Sequence, residues 1–144
     1  MIQQDTIKLL RECDAGVQMG IDSIDDVLGH VRSQHMSRTL SHCRQEHEQL
    51  QTEIRQQLDR FHDQGKDPNP IAKGMSWMKT NMKLGMEESD ATIAGLMTDG
   101  CNMGVKSLNR YLNQYKAADE VSKDIAKKLI HLEQNLTRDM SRYL

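Results

Sequence analysis

Aromatic side chains are scarce in this chain: its 144 residues hold one Phe, one Trp and three Tyr. Aliphatic and methionine side chains must therefore fill most of any core. Both prolines, Pro68 and Pro70, fall in the one segment Gly65-Lys-Asp-Pro-Asn-Pro70, which reads as a rigid, exposed connection. Cysteine is odd in number, at Cys13, Cys43 and Cys101, with no CxxC pair. That spacing argues against a disulfide framework and for reduced thiols used in packing. Long apolar runs are missing too. The first thirty residues carry Asp5, Glu12, Asp14, Asp22, Asp25 and Asp26, so neither a signal peptide nor a membrane span is expected, and the expected location is the cytoplasm. Neither sign of charge dominates: 19 Lys plus Arg face 21 Asp plus Glu, for a net charge of -2. Without a basic block to neutralise phosphates, nucleic acid is not an expected partner. HExxH, a nucleophile elbow and a phosphate-cradling glycine loop are all lacking, so an enzyme is not expected.

What the sequence does have is helical periodicity. Four stretches carry apolar residues three and four apart, separated by short gaps, in a chain long enough to bury roughly 68 to 70% of its unfolded surface. The expected fold is all-α: a single domain over 1–144, an antiparallel up-down-up-down four-helix bundle with helices near 5–31, 33–64, 86–115 and 119–143. A short extra helix near 70–83 is expected between the second and third, because one helix from Pro70 to Tyr115 would run for nearly 70 Å. Caps are expected at Asp5 or Thr6, at Ser33 and at Asp119. Glu87, Glu88 and Asp90 suit the dipole at the start of the third long helix.

The stripe of the second helix runs Met36, Leu40, Cys43, His47, Leu50, Ile54, Leu58 and Phe61, placing a thiol and an imidazole where a core should be apolar. Asp14 lies on the stripe of the first helix, among Ile7, Leu10, Val17, Ile21 and Ile24, which implies a buried or half-buried carboxylate. A tight hairpin turning near Arg32 would put His47 level with Val17 and about one turn, 5.4 Å, from Asp14, close enough for a hydrogen bond. The plain reading is a self-satisfied core pair. The functional alternative is a pocket lined by Asp14, Cys43, His47 and Cys13 that takes a transition metal or a small molecule.

His42 and Glu46, four apart and extended upstream by His35, form a weaker metal candidate on what reads as a solvated face. Met75, Met78, Met82 and Met86 recur at helical spacing, where thioethers could hold Cu(I) but more simply fill a core. Exposed on a short helix, Met75, Trp77, Met78 and Met82 would instead make a partner surface. Gly95, Gly100 and Gly104, with Ala94 and Cys101, form a small-residue band for close helix approach, within the bundle or across a dimer. In the fourth helix the stripe is Val121, Ile125, Leu129, Leu132, Leu136, Met140 and Tyr143, with Glu133 assigned to the solvent side, level with Cys101.

With its Cys13-Asp14-Ala15-Gly16 run, hydrophilic second helix ending near Gly65, Trp77 linker and closing Leu108-Asn-Arg-Tyr-Leu-Asn-Gln-Tyr115, the chain resembles the small ferritin-like four-helix proteins. These are related in fold to rubrerythrins and ferritins, and the resemblance covers nearly the whole chain. It implies a place for a di-iron centre, which in such proteins takes one Glu from each of two helices and Glu-x-x-His from each of the others. No Glu here is followed three residues later by His, so ferroxidase chemistry is not expected. The expected function is a non-catalytic protein-interaction or self-assembly module, partnered by a second copy or another protein. The alternative is a ferritin-like protein holding zinc or iron in a degenerate site around Asp14, Cys43 and His47.

Overall fold

The computed structural model describes residues 2–63, 65 and 89–144. They form four long helices, α1 (Ile2–Leu28), α2 (Gln34–Arg60), α3 (Asp90–Gln114) and α4 (Glu120–Met140), followed by a 3-10 turn at Ser141–Tyr143. No strand occurs among the described residues. The expected short helix at 70–83, and with it Met75, Trp77, Met78, Met82 and Met86, lies outside them.

Three of the four long helices start where the sequence offers a side-chain acceptor. Ser33 Oγ accepts from Met36 N at 3.2 Å, Ser89 Oγ from Thr92 N at 3.1 Å, and Asp119 Oδ1 from Ser122 N at 2.8 Å, each satisfying an orphan amide of a first turn. The first helix differs from expectation. It begins at Ile2, a turn before Asp5 and Thr6, and these two acceptors cap another connection instead. Asp5 Oδ2 takes Ala117 N at 3.1 Å, and Thr6 Oγ1 takes Asp119 N at 2.8 Å. Both residues tie the start of α1 to the turn that joins α3 to α4.

Contacts between helices define their directions. Arg44 pairs with Asp25, Gln51 with Gln18, Arg55 with Asp14 and Asp63 with Arg11, so numbers fall along α1 as they rise along α2. Between α1 and α4 they rise together, from Thr6 beside Asp119 to Gly16 beside Leu129. The start of α3 is held at the α1–α2 turn, where Asp90 Oδ1 and Oδ2 accept from Arg32 N at 2.8 Å and Ser33 N at 3.0 Å. Helices α2 and α3 therefore begin at the same end and run the same way. The order is up-down-down-up, not the up-down-up-down order expected from the sequence. The end of α2 and the start of α3 therefore lie at opposite ends of the bundle, about 40 Å apart for a 27-residue helix.

Helix α1 packs against the other three, and α4 also contacts α2 and α3, leaving α2 and α3 diagonally opposed. Their buried faces make two apolar clusters. One, near the α3–α4 connection, joins residues including Leu9, Leu10, Val17, Ile54, Ile125 and Leu129. The other, near the α1–α2 turn, includes Ile24, Met36, Leu40, Cys43, Ile93 and Met140. No helix among the described residues is long and apolar enough to cross a membrane.

Candidate functional site

Between the two clusters the bundle has a polar waist, to which every helix contributes. His47 on α2 is 1% exposed and Glu133 on α4 is 8% exposed. Glycines on the neighbouring helices make room for both. A Cβ on Gly20 of α1 would lie 2.7 Å from the His47 ring. A Cβ on Gly104 of α3 would overlap the Glu133 carboxyl. Cys43 and Cys101 border this layer, since Glu133 acts electrostatically on both thiols.

Glu133 is a correction to the expected solvent-facing position. Its place follows from the helical period, because it stands four after Leu129 and three before Leu136, both buried. The buried face of α4 is Ser122, Ile125, Ala126, Leu129, Ile130, Glu133, Leu136 and Met140. This leaves Val121, expected inside, 45% exposed. Burial pushes the Glu133 carboxyl up to about 8, so the neutral acid is the resident form near neutral pH.

His47 is a different case. Its Nδ1 donates to the Cys43 carbonyl at 2.8 Å and lies 3.6 Å from Cys43 Sγ. Burial holds the imidazole pKa below 6.5, against a smaller opposing effect of that hydrogen bond. With its Nδ1 proton committed to a carbonyl, the ring cannot take the thiol proton at that nitrogen. Burial pushes the Cys43 thiol up to about 12, with Glu46, Glu133 and Asp139 adding to it. Cys13 is pushed up to about 12 and Cys101 higher still, again chiefly by burial. All three cysteines are free and buried, and protonated thiols of this kind are poor nucleophiles and poor metal ligands.

The expected meeting of Asp14 with His47 does not follow from this helix register. His47 lies against Gly20, six residues from Asp14, or about 9 Å along α1. Asp14 instead faces Arg55, with Nε to Oδ1 at 3.5 Å, and crowds Gly65 beyond the end of α2. Gly65 sits at φ +85, a conformation that suits glycine, and its amide donates to Asp63 at 2.9 Å. Arg11 grips that same Asp63 through Nε and Nη2 at 2.8 to 3.1 Å. Asp14 is thus part of the packing at the exit of α2.

His42 and Glu46 pair at 3.4 Å on the exposed side of α2, while His35 Nε2 accepts from Arg142 at 3.0 Å. Among the described residues no three His, Cys, Asp or Glu side chains stand together as a metal site. Asp14, Cys43 and His47 are not brought together as one such group, and no group suited to a di-iron centre stands among the described residues. No protein-family model matches the sequence, and neither the curated proteins nor the solved structures include a match to it. Fold and interior together define the class: an all-α four-helix protein with a buried polar layer.

Proposed function

We propose that this protein is a ferritin-like bundle without catalytic chemistry, acting through its outer surface as a self-assembly or protein-interaction module. The ferritin-like part is supported by the helix order, since ferritin-like bundles carry one long crossover connection. Here α2 and α3 begin at the same end of the bundle, an order that such a connection would serve. The non-catalytic part rests on one observation, the chemical state of the waist. Its thiols are kept protonated, its imidazole is neutral and committed to a carbonyl, and its carboxyl keeps its proton near neutral pH. Such groups fill an interior without offering a nucleophile or a ligand set. Met75, Trp77, Met78 and Met82 are the residues proposed for the contact.

The test combines sedimentation of the untagged full chain over a concentration series with elemental analysis after loading with iron, zinc or copper. A reversible dimer without bound metal is the expected result, weakened by Trp77→Ala. About one retained metal per chain, lost in Asp14→Asn or His47→Leu, would overturn the reading in favour of a metal protein.

A further inference from the structure

Glu133 is accommodated by a missing side chain. Its Oε2 makes no hydrogen bond, and the space it occupies exists because residue 104 has no Cβ. From α2 it faces the Cys43 thiol, which also feels Glu46 and, from α4, Asp139. On α3 it acts electrostatically on the Cys101 thiol, while Thr137 Oγ1 donates to the Glu133 carbonyl at 3.0 Å. Helix α1 brings uncharged Gly20, packed on the neutral ring of His47. A carboxylate at this point has two thiols and the acidic Glu46 and Asp139 in its electrostatic surroundings, with Arg38, His35 and His42 farther out along the α2–α4 groove. Burial raises its pKa, and among the described residues no cation is set against it. A groove of about 340 Å³ between α2 and α4, lined in part by Cys43, Glu46, Leu136 and Asp139, leads toward this layer from solvent.

We propose that Glu133 is a proton-dependent latch: its neutral acid holds α3 against α4 at Gly104, and loss of the proton admits water and uncovers Cys43 and Cys101. The physical reason is that a buried carboxylate without a partner must be hydrated, whereas the acid carries no net charge. The α2–α4 groove supplies the route for water, and Gly104 is where α3 has least side chain to keep the contact closed.

The experiment is alkylation of the full chain by iodoacetamide, read cysteine by cysteine by mass spectrometry, between about pH 6 and pH 9, for the native protein and Glu133→Gln. Comparing the two proteins at each pH cancels the intrinsic rise in thiolate. Labelling of Cys43 and Cys101 should rise about tenfold more in the native protein than in the variant across this range. Cys13, in the opposite cluster, should behave alike in both. An equal rise in both proteins would overturn the latch, and so would Cys13 rising in step with Cys101, which signals global unfolding. If the variant fails to fold, the side-chain carboxyl carbon of Glu133 is followed by NMR in the native protein. Titration at neutral to alkaline pH, tracked by Cys101 labelling, supports the latch; titration in the ordinary carboxylate range overturns it.

Discussion

The two apolar halves of the bundle are built by the same helices from different materials. The half near the α3–α4 connection is mainly aliphatic, with Phe61, Tyr111 and Tyr115 packed against it. The half near the α1–α2 turn draws on sulfur, from Met36, Met97, Met140, Cys43 and Cys101. Between them the waist holds one polar group whose Nδ1 proton is satisfied, on His47, and one oxygen that is not, on Glu133. Branched aliphatics give a stiff, well-specified packing, while methionine and cysteine are polarizable and adapt to irregular space. The pliable half is thus the one whose thiols border the acid.

The largest effect that separates the two halves comes from raising the pH from about 4.5 to about 8. Glu133 releases its proton at about 8 in the folded chain and near 4.5 when unfolded. Its stabilising effect is complete below about pH 4.5, shrinks as pH rises, and is gone once pH passes the folded value. The full difference is on the order of 5 kcal/mol, with a smaller loss where local opening hydrates the carboxylate first. Urea midpoints measured across this range should fall with rising pH in the native protein and stay flatter in Glu133→Gln. His47 works in the opposite sense. Its folded pKa lies below 6.5, so its contribution is present above that value and lost as pH falls, because the unfolded chain takes up the proton.

Truncation of the core comes next. Leu129→Ala in the aliphatic half should cost about 3 to 5 kcal/mol, and Met36→Ala in the sulfur-rich half nearer 2, since adaptable neighbours collapse into the space. Equal losses in chemical denaturation would remove the contrast between the halves. A glycine pair follows. Gly20→Ala pushes a Cβ into the His47 ring and should cost about 1 to 3 kcal/mol, whereas Gly95→Ala enters open space and should gain about 0.5 to 1. Thermal melts of the two variants should therefore move in opposite directions.

The smallest expected effect is at His47 itself. His47→Leu should cost no more than about 1 kcal/mol, because the Cys43 carbonyl keeps its helical partner and Asp14 is held elsewhere. A loss of several kcal/mol in denaturant titration would mean that another buried group depends on the imidazole.

Much of this could be read from residue patterns. Ser33 and Asp119 announced two helix starts, and burial of Asp14, Cys43 and His47 followed from spacing of three and four. Glu133 was legible in the same way, at four after Leu129 and three before Leu136, but its charge argued for solvent. A carboxyl type is a poor guide where a facing glycine leaves room and a proton removes the charge. Asp5 and Thr6 looked like caps of their own helix because local pattern does not reveal a distant acceptor's customer.

The sequence by itself determined four amphipathic helices, their capped starts at Ser33 and Asp119, and which faces turn inward, because a 3.6-residue period is a property of each segment alone. Only the tertiary structure decided how far one helix slides along the next and which way the third one runs. Those depend on contacts between distant residues: Gly20 against His47, Gly104 beneath Glu133, and Asp90 on the amides of Arg32 and Ser33. Helical periodicity repeats at every turn and reads much the same in either direction, so it does not specify register or polarity between helices. Close approach at a glycine and a carboxylate bound to two amides do.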